Sequence, residues 1–305
     1  LQPGANACDY PLARNLIQVI GHPTADGFVF RVDLRLRPFG DNGPLVMSFD
    51  ALESYYQEQG RDWERYAWIK ARAVAGDRPA GEDLLRRLQP FVYRRYLDFG
   101  AFESLRTMKL MITQEVARKG LERNIKLGPG GIREVEFFGQ IFQLIRGGVT
   151  PDLRERGIRK VLAVLAERGT ISKDTRRELD AAYVFLRNVE HRLQETADQQ
   201  THDVPREDAG MARLASAMGF DTVAAFTAAL DGHRHAVHGH FQMLLEAPEA
   251  EGHASAVARE LDTIWTQAAG AVRAAELLVQ VGYEEPGEVL RLLDHLRNDT
   301  ETRAL

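Results

Sequence analysis

The chain has little sulfur chemistry to offer: one cysteine, Cys8, in 305 residues. A lone cysteine excludes an intrachain disulfide framework and fits a reducing, cytoplasmic setting. No apolar run approaches the ~20 residues a spanning helix needs, and no signal-peptide pattern opens the chain, so no membrane role is expected. Charge of one sign is not in excess either. The net charge of −5 gives no general signal for nucleic acid. No His/Cys/Asp spacing reads as a zinc site, and nothing suggests a Ser or Cys nucleophile. Fixed-period repeats and low-complexity tracts are also missing. What remains is an ordinary globular composition, 44% hydrophobic and 27% charged, long enough for more than one domain. The chain begins at Leu1 without Met, and it is expected to be a piece of a longer protein.

Against this background one stretch stands out. In Phe28 to Arg37, residues Phe28, Phe30, Val32, Leu34 and Leu36 share one parity, while Arg31, Asp33, Arg35 and Arg37 share the other. That alternation predicts a strand with one apolar and one charged face. Leu45 to Met47 is the expected return strand of a hairpin. Taken alone, the charged face reads more readily as ion pairs on a wet sheet than as a site. A single carboxylate among guanidiniums is also what phosphoryl chemistry uses.

Beyond Asp50 the period is helical. Helices are expected near 12–20, 50–59, 61–75, 84–99, 102–119, 130–146, 154–168, 173–194, 209–218, 223–245, 256–278 and 286–297. Gly76 to Pro79 marks a candidate boundary. The expected organisation is residues 1–78, a small α+β piece; 79–246, a helical bundle; and 247–305, a linker with the start of a further helical region. Glu64 and Arg65 are read as part of a solvated face. Lys70 and Arg72 are placed to reach an anion, because the hairpin leads into their helix. Lys126 to Phe138 combines three glycines and a proline with a helix start. Gly130 and Gly131 could let backbone approach an anion at the helix N-terminus. The following helix carries a polar stripe of Arg133, Glu136, Gln140 and Gln143, which must find partners or line a cavity. A glycine-rich loop beside a buried Arg–Glu pair explains the same residues without a ligand. His191 is read as structural or exposed, and the histidines at 233, 235, 238 and 240 as solvated.

Several blocks together resemble one family: Phe28 to Gly40, Gly43 to Val46, Tyr55 to Ala67, Lys126 to Phe137, Gln143 to Gly148 and Asp198 to His202. They are similar to the adenylyl-removing half of the bifunctional glutamine synthetase adenylyltransferase/adenylyl-removing enzymes. The resemblance implies a polymerase-beta-like nucleotidyltransferase domain, here truncated, followed by a helical bundle. It implies phosphorolysis of adenylyl-tyrosine on glutamine synthetase, with inorganic phosphate and ADP/ATP as small ligands, Mg²⁺ as cofactor, and a PII-type nitrogen regulatory protein as a second partner. Asp33 matches the third of the family's metal carboxylates. Arg35 and Arg37 would meet phosphate oxygens, and Arg31, Lys70, Arg72, Lys126, Gly130, Gly131, Arg133 and Glu136 would line the phosphate or nucleotide. The family's Asp-x-Asp pair does not occur before Asp33, so the 305-residue chain is expected to be catalytically incomplete. The competing reading from another class is a regulatory module that docks glutamine synthetase or a nitrogen-signalling protein.

Overall fold

A computed structural model describes residues 9–93, 114, 116, 118–196, 200–246, 270–280 and 285–298. The chain divides into two compact units, Leu1–Gln242 and Met243–Leu305. The described residues are predominantly helical and contain no strand.

In the first unit, α1 (Asp9–Gly21) leads into an irregular segment. The expected strand over Phe28 to Arg37 and its hairpin do not form. The described residues hold only an isolated bridge between Thr24 and Gly27 there. The physical reason is local competition for hydrogen bonds. Phe30 N donates to Ile20 O at the end of α1, at 3.0 Å, and Arg37 N closes a turn onto Leu34 O at 3.2 Å. The Asp33 carboxylate captures Arg35 N at 3.0 Å, the kind of side-chain-to-backbone bond that draws a chain out of a ladder. Phe39 then takes a left-handed φ of 62°. Of the alternating apolar set, Phe28, Phe30 and Leu36 stay exposed and Val32 and Leu34 are half-buried. The polymerase-beta-like sheet implied by the resemblance therefore has no counterpart among the described residues.

The helices that follow start where local chemistry favours it. Ser48 caps α2 (Phe49–Glu58) by accepting from Ala51 N, two residues before the Asp50 start suggested by the sequence. Glu64, the third residue of α3 (Asp62–Ile69), accepts from Arg61 N at 2.8 Å. That carboxylate is 1% exposed and also takes the Tyr55 hydroxyl at 3.1 Å. Glu64 thus belongs to the core and not to a wet face. Arg65 likewise lies over the Phe91 ring at 5.1 Å. Asp77 caps α4 (Arg78–Arg87), and Pro90 restarts the chain as α5 (Gln89–Val92), so the helix expected over 84–99 is two pieces as far as it is described. Tyr55, Tyr56, Leu84 and Leu88 form this region's core. Its rings meet edge to face, Tyr56 against Trp68 at 5.1 Å. The helix expected over 102–119 lies almost wholly outside the described residues.

α6 (Ile132–Arg146), α7 (Ile158–Glu167) and α8 (Lys173–Glu195) pack side by side. Their apolar stripes meet in Val135, Ile141, Val161, Leu162, Leu165, Leu179 and Ala182, each at most 3% exposed. Gly139 permits the close approach, since a Cβ there would sit 2.2 Å from Ile158 Cδ1. α9 (Asp208–Ala217) and α10 (Val223–Glu246) close a second core of Ile125, Ile132, Leu186, Val189, Leu193, Phe226 and Leu230. In the second unit, α11 (Ala271–Gln280) packs Ala274, Leu277 and Leu278 against Val289, Leu290 and Leu293 of α12 (Pro286–Asn298).

Candidate functional site

Asp33 does project to the surface, but its carboxylate is already engaged. Arg35 grips it as a fork, with Nε 3.1 Å from Oδ1 and Nη2 2.6 Å from Oδ2. The Arg35 hydrogen bonds, helped by the Arg35 and Arg31 charges, hold the Asp33 carboxyl far below the usual carboxylate range. Arg37 faces inward to its own loop. Its guanidinium donates to the carbonyls of Leu34, Asp41 and Gly43 at 2.9, 2.7 and 3.1 Å. In this arrangement Arg37 fastens a turn. Arg31 alone of the four leaves the segment, donating to Gln200 Oε1 at 2.6 Å.

Gln200 lies beside the second element of the site, the loop that starts α6. Asn124 orders that loop from within: its Oδ1 accepts Lys126 N and Leu127 N, and its Nδ2 donates to Asp203. Ile125 N bonds His202 O, stitching the loop to residues 202–204. The N–H groups at the helix start already have partners within the protein. Gly130 N bonds the Glu134 carboxylate at 2.8 Å, Ile132 N bonds Ile125 O and Arg133 N bonds Lys126 O. Gly130 has φ +68°, and a Cβ there would come within 2.1 Å of Arg234 O. The glycines thus serve a close backbone crossing with α10.

The centre of the polar arrangement is Glu190 on α8, 2% exposed. Its Oε1 lies 3.1 Å from His202 Nδ1 and 3.5 Å from Lys126 Nζ, and its Oε2 pairs with Arg187. Burial, and then the Lys126 charge, keeps the His202 imidazole below its ordinary pKa. Glu136 on α6 continues the ribbon. It accepts the Tyr183 hydroxyl at 3.4 Å and sits 3.8 Å from Lys70 Nζ. Burial, and then the Glu136 charge, raises the Tyr183 phenol. Lys70 also donates to Arg156 O at 2.7 Å. From Lys70 through Glu136, Tyr183, Glu190 and His202 to Gln200 and Arg31, a band of charged and polar groups thus joins four segments distant in sequence. It can hold and orient an oxyanion through cations set by the buried Glu190 and the half-buried Glu136.

Several sequence-stated candidates fall on this band: Arg31, Lys70, Lys126 and Glu136. Arg133 stacks over Phe137 at 5.5 Å. Arg72 lines a separate hollow. Two members of the polar stripe of α6, Gln140 and Gln143, are buried, and Gln143 donates to Leu153 O and Glu155 O at 2.6 and 2.7 Å. Glu190 is not among the residues that the sequence singled out. Its signal was Arg187 one turn before it, opposite Leu186, Val189 and Leu193. The histidines of α10 are likewise more than solvated: His238 meets Glu134 at 3.1 Å, His240 meets Glu178 at 2.7 Å, and His233 packs on Phe185 with centroids 4.5 Å apart.

The described residues do not fit the Mg²⁺ that the resemblance implies. Asp33 is closed off by the Arg35 fork, and no group of three His, Cys, Asp or Glu able to hold a metal occurs among the described residues. No described helix is long and apolar enough to cross a membrane.

Two family models match the chain. One, Glutamate-ammonia ligase adenylyltransferase, covers residues 5–87; the other, GlnD PII-uridylyltransferase, covers residues 106–245. Both descriptions name enzymes that transfer nucleotidyl groups. It is 56% identical over 297 residues to the bifunctional glutamine synthetase adenylyltransferase/adenylyl-removing enzyme of Nitrosococcus oceani, 50% identical to that of Thioalkalivibrio sulfidiphilus and 48% identical to that of Pseudomonas aeruginosa. Each match covers 96% of this chain and 30% or 31% of the relative. The chain belongs to the glutamine synthetase adenylyltransferase/adenylyl-removing family and spans about 30% of its relatives' length.

Proposed function

We propose that this chain is a segment of a cytoplasmic nucleotidyltransferase that removes AMP from adenylylated glutamine synthetase by phosphorolysis. An oxygen of inorganic phosphate attacks the AMP phosphorus, the bond from phosphorus to the tyrosine oxygen breaks, ADP leaves, and the tyrosine of glutamine synthetase regains its hydroxyl with the proton that the phosphate gives up. The observation that carries this reading is the 56% identity, across 96% of the chain, to a relative whose name includes the adenylyl-removing activity. Lys70, Lys126 and Arg31 are the cations we assign to phosphate oxygens, with Glu136 and Glu190 holding the two lysines in place. The Asp33–Arg35 pair is the element we assign to the reacting end of the substrate.

The 305-residue chain by itself is expected to lack turnover, because its described residues offer no carboxylate set for a divalent cation. Adenylylated glutamine synthetase, phosphate and Mg²⁺ should yield no ADP above background with this chain. Robust Mg²⁺-dependent ADP release from it would refute that. In a protein of the relatives' length that contains this segment, Asp33→Asn should abolish ADP release, and undiminished release would overturn the role of Asp33.

One observation favours a second reading. The match of residues 106–245 to the PII-uridylyltransferase model supports a helical module that docks a PII-type nitrogen regulatory protein. Binding of such a protein that survives Asp33→Asn supports docking. Binding lost together with ADP release counts against it.

A further inference from the structure

Three guanidiniums from separate segments meet at a surface hollow of about 240 Å³ lined by Arg72, Ala73, Val74, Arg78, Glu82 and Arg156. Arg72 follows α3, Arg78 opens α4, and Arg156 precedes α7. The frame is fixed: Lys70 Nζ holds the Arg156 carbonyl, and Gly81 lets α4 approach so closely that an added Cβ would lie 2.7 Å from Ala73 Cβ. The four charged side chains are otherwise uncommitted. Among the described residues, none of the three guanidiniums and no oxygen of Glu82 has a side-chain hydrogen bond or ion pair. Arg78 and Glu82 stand one turn apart on α4, a spacing that ordinarily pairs them, yet no pair forms. This contrasts with Arg35, Arg37, Arg87 and Arg154, each of whose guanidiniums holds a carboxylate, amide or carbonyl oxygen of the protein.

Three positive charges and one negative around one hollow, on a chain of net charge −5, repel one another unless an anion enters. Guanidinium forks match the tetrahedral oxygens of phosphate, and the lining offers almost no apolar contact. We propose that this hollow binds a diphosphate group, Arg72, Arg78 and Arg156 supplying the donors and Glu82 limiting the affinity. The site spans the α3–α4 connection and the loop before α7, so the bound anion ties these two segments together. It extends the phosphate-binding reading at Arg72 but is tested without Mg²⁺ and without glutamine synthetase, so its failure and that of phosphorolysis are read separately.

The test is calorimetric titration of the 305-residue chain with inorganic pyrophosphate and, in parallel, ADP at low and physiological salt. Arg72→Gln, Arg78→Gln and Arg156→Gln should each weaken pyrophosphate binding about fivefold or more, as loss of a charge-assisted contact requires. Glu82→Gln should tighten it about twofold to threefold by removing the one repelling carboxylate. Arg177→Gln, an exposed arginine paired to Asp174 elsewhere, should leave it unchanged. Tighter binding of ADP assigns the site to nucleotides, and equal or weaker binding assigns it to free diphosphate. Absence of pyrophosphate binding, weakening by Glu82→Gln, or equal weakening by Arg177→Gln would overturn the proposal. All these side chains are exposed, so unchanged thermal unfolding verifies that each variant folds.

Discussion

Replacing Glu190 by glutamine probes the centre of the polar band. The carboxylate is 2% exposed, while Lys126 and Arg187 are 42% and 37% exposed at their side chains. Glutamine keeps the shape but replaces one oxygen by an amide NH2, so one side of the site must face a donor with a donor. If the amide NH2 lies toward Arg187, the charged pair is lost; if it lies toward Lys126, the ammonium loses its carboxylate partner. One charge-assisted hydrogen bond contributes about 1.5–3 kcal/mol, and the remaining one weakens as the negative charge disappears. The half-exposed cations can turn to water, which keeps the loss below the ~3–5 kcal/mol typical of breaking a fully buried pair. The expected loss is therefore about 2–3 kcal/mol. At ~2–4 °C per kcal/mol for a unit of this size, unfolding of the first unit should come about 5–10 °C earlier at pH 7. Scanning calorimetry reads this directly. Hydrogen exchange should quicken at Ile125 and Val204, whose amides bond His202 O and Arg123 O. A shift under about 2 °C with unchanged exchange would show that the buried carboxylate does not hold these loops.

Acid should destabilise the first unit through His202. Its folded pKa lies below the ordinary 6.5 because of burial and Lys126, so the unfolded chain takes up the proton first and the stability present above about pH 6.5 is lost as pH falls further. His202→Gln should flatten that slope in urea unfolding between pH 7.5 and 5.5, and an unaltered slope would refute the assignment. Gly130→Ala adds a Cβ 2.1 Å from Arg234 O at φ +68° and should cost about 2–4 kcal/mol, exposing the 126–131 loop to limited proteolysis. Protection equal to the parent chain would contradict the close crossing. Gln143→Leu strands the carbonyls of Leu153 and Glu155 and should lower stability by about 2–4 kcal/mol in urea unfolding. A loss below about 0.5 kcal/mol would mean water replaces the amide.

Periodicity by itself determined the helix with a long, uninterrupted stripe, because a 3.6-residue apolar stripe has one economical solution: α8 was expected over 173–194 and runs Lys173–Glu195, whereas the helix expected over 61–75 ends at Ile69. The family was also legible, since long blocks such as Tyr55 to Ala67 carry identity without any fold. Alternation was a weaker guide. The pattern from Phe28 to Arg37 specifies two faces, but a strand exists only when another strand accepts its ladder, and here Ile20 O and the Asp33 carboxylate take the amides instead. Only the tertiary structure decided which charges are buried. Glu64 and Glu190 look like surface residues in a polar run, yet Tyr55 approaches one and Lys126, Arg187 and His202 enclose the other. Those partners come from other segments, and no local rule states which distant cation a folded chain will bring within reach of a carboxylate.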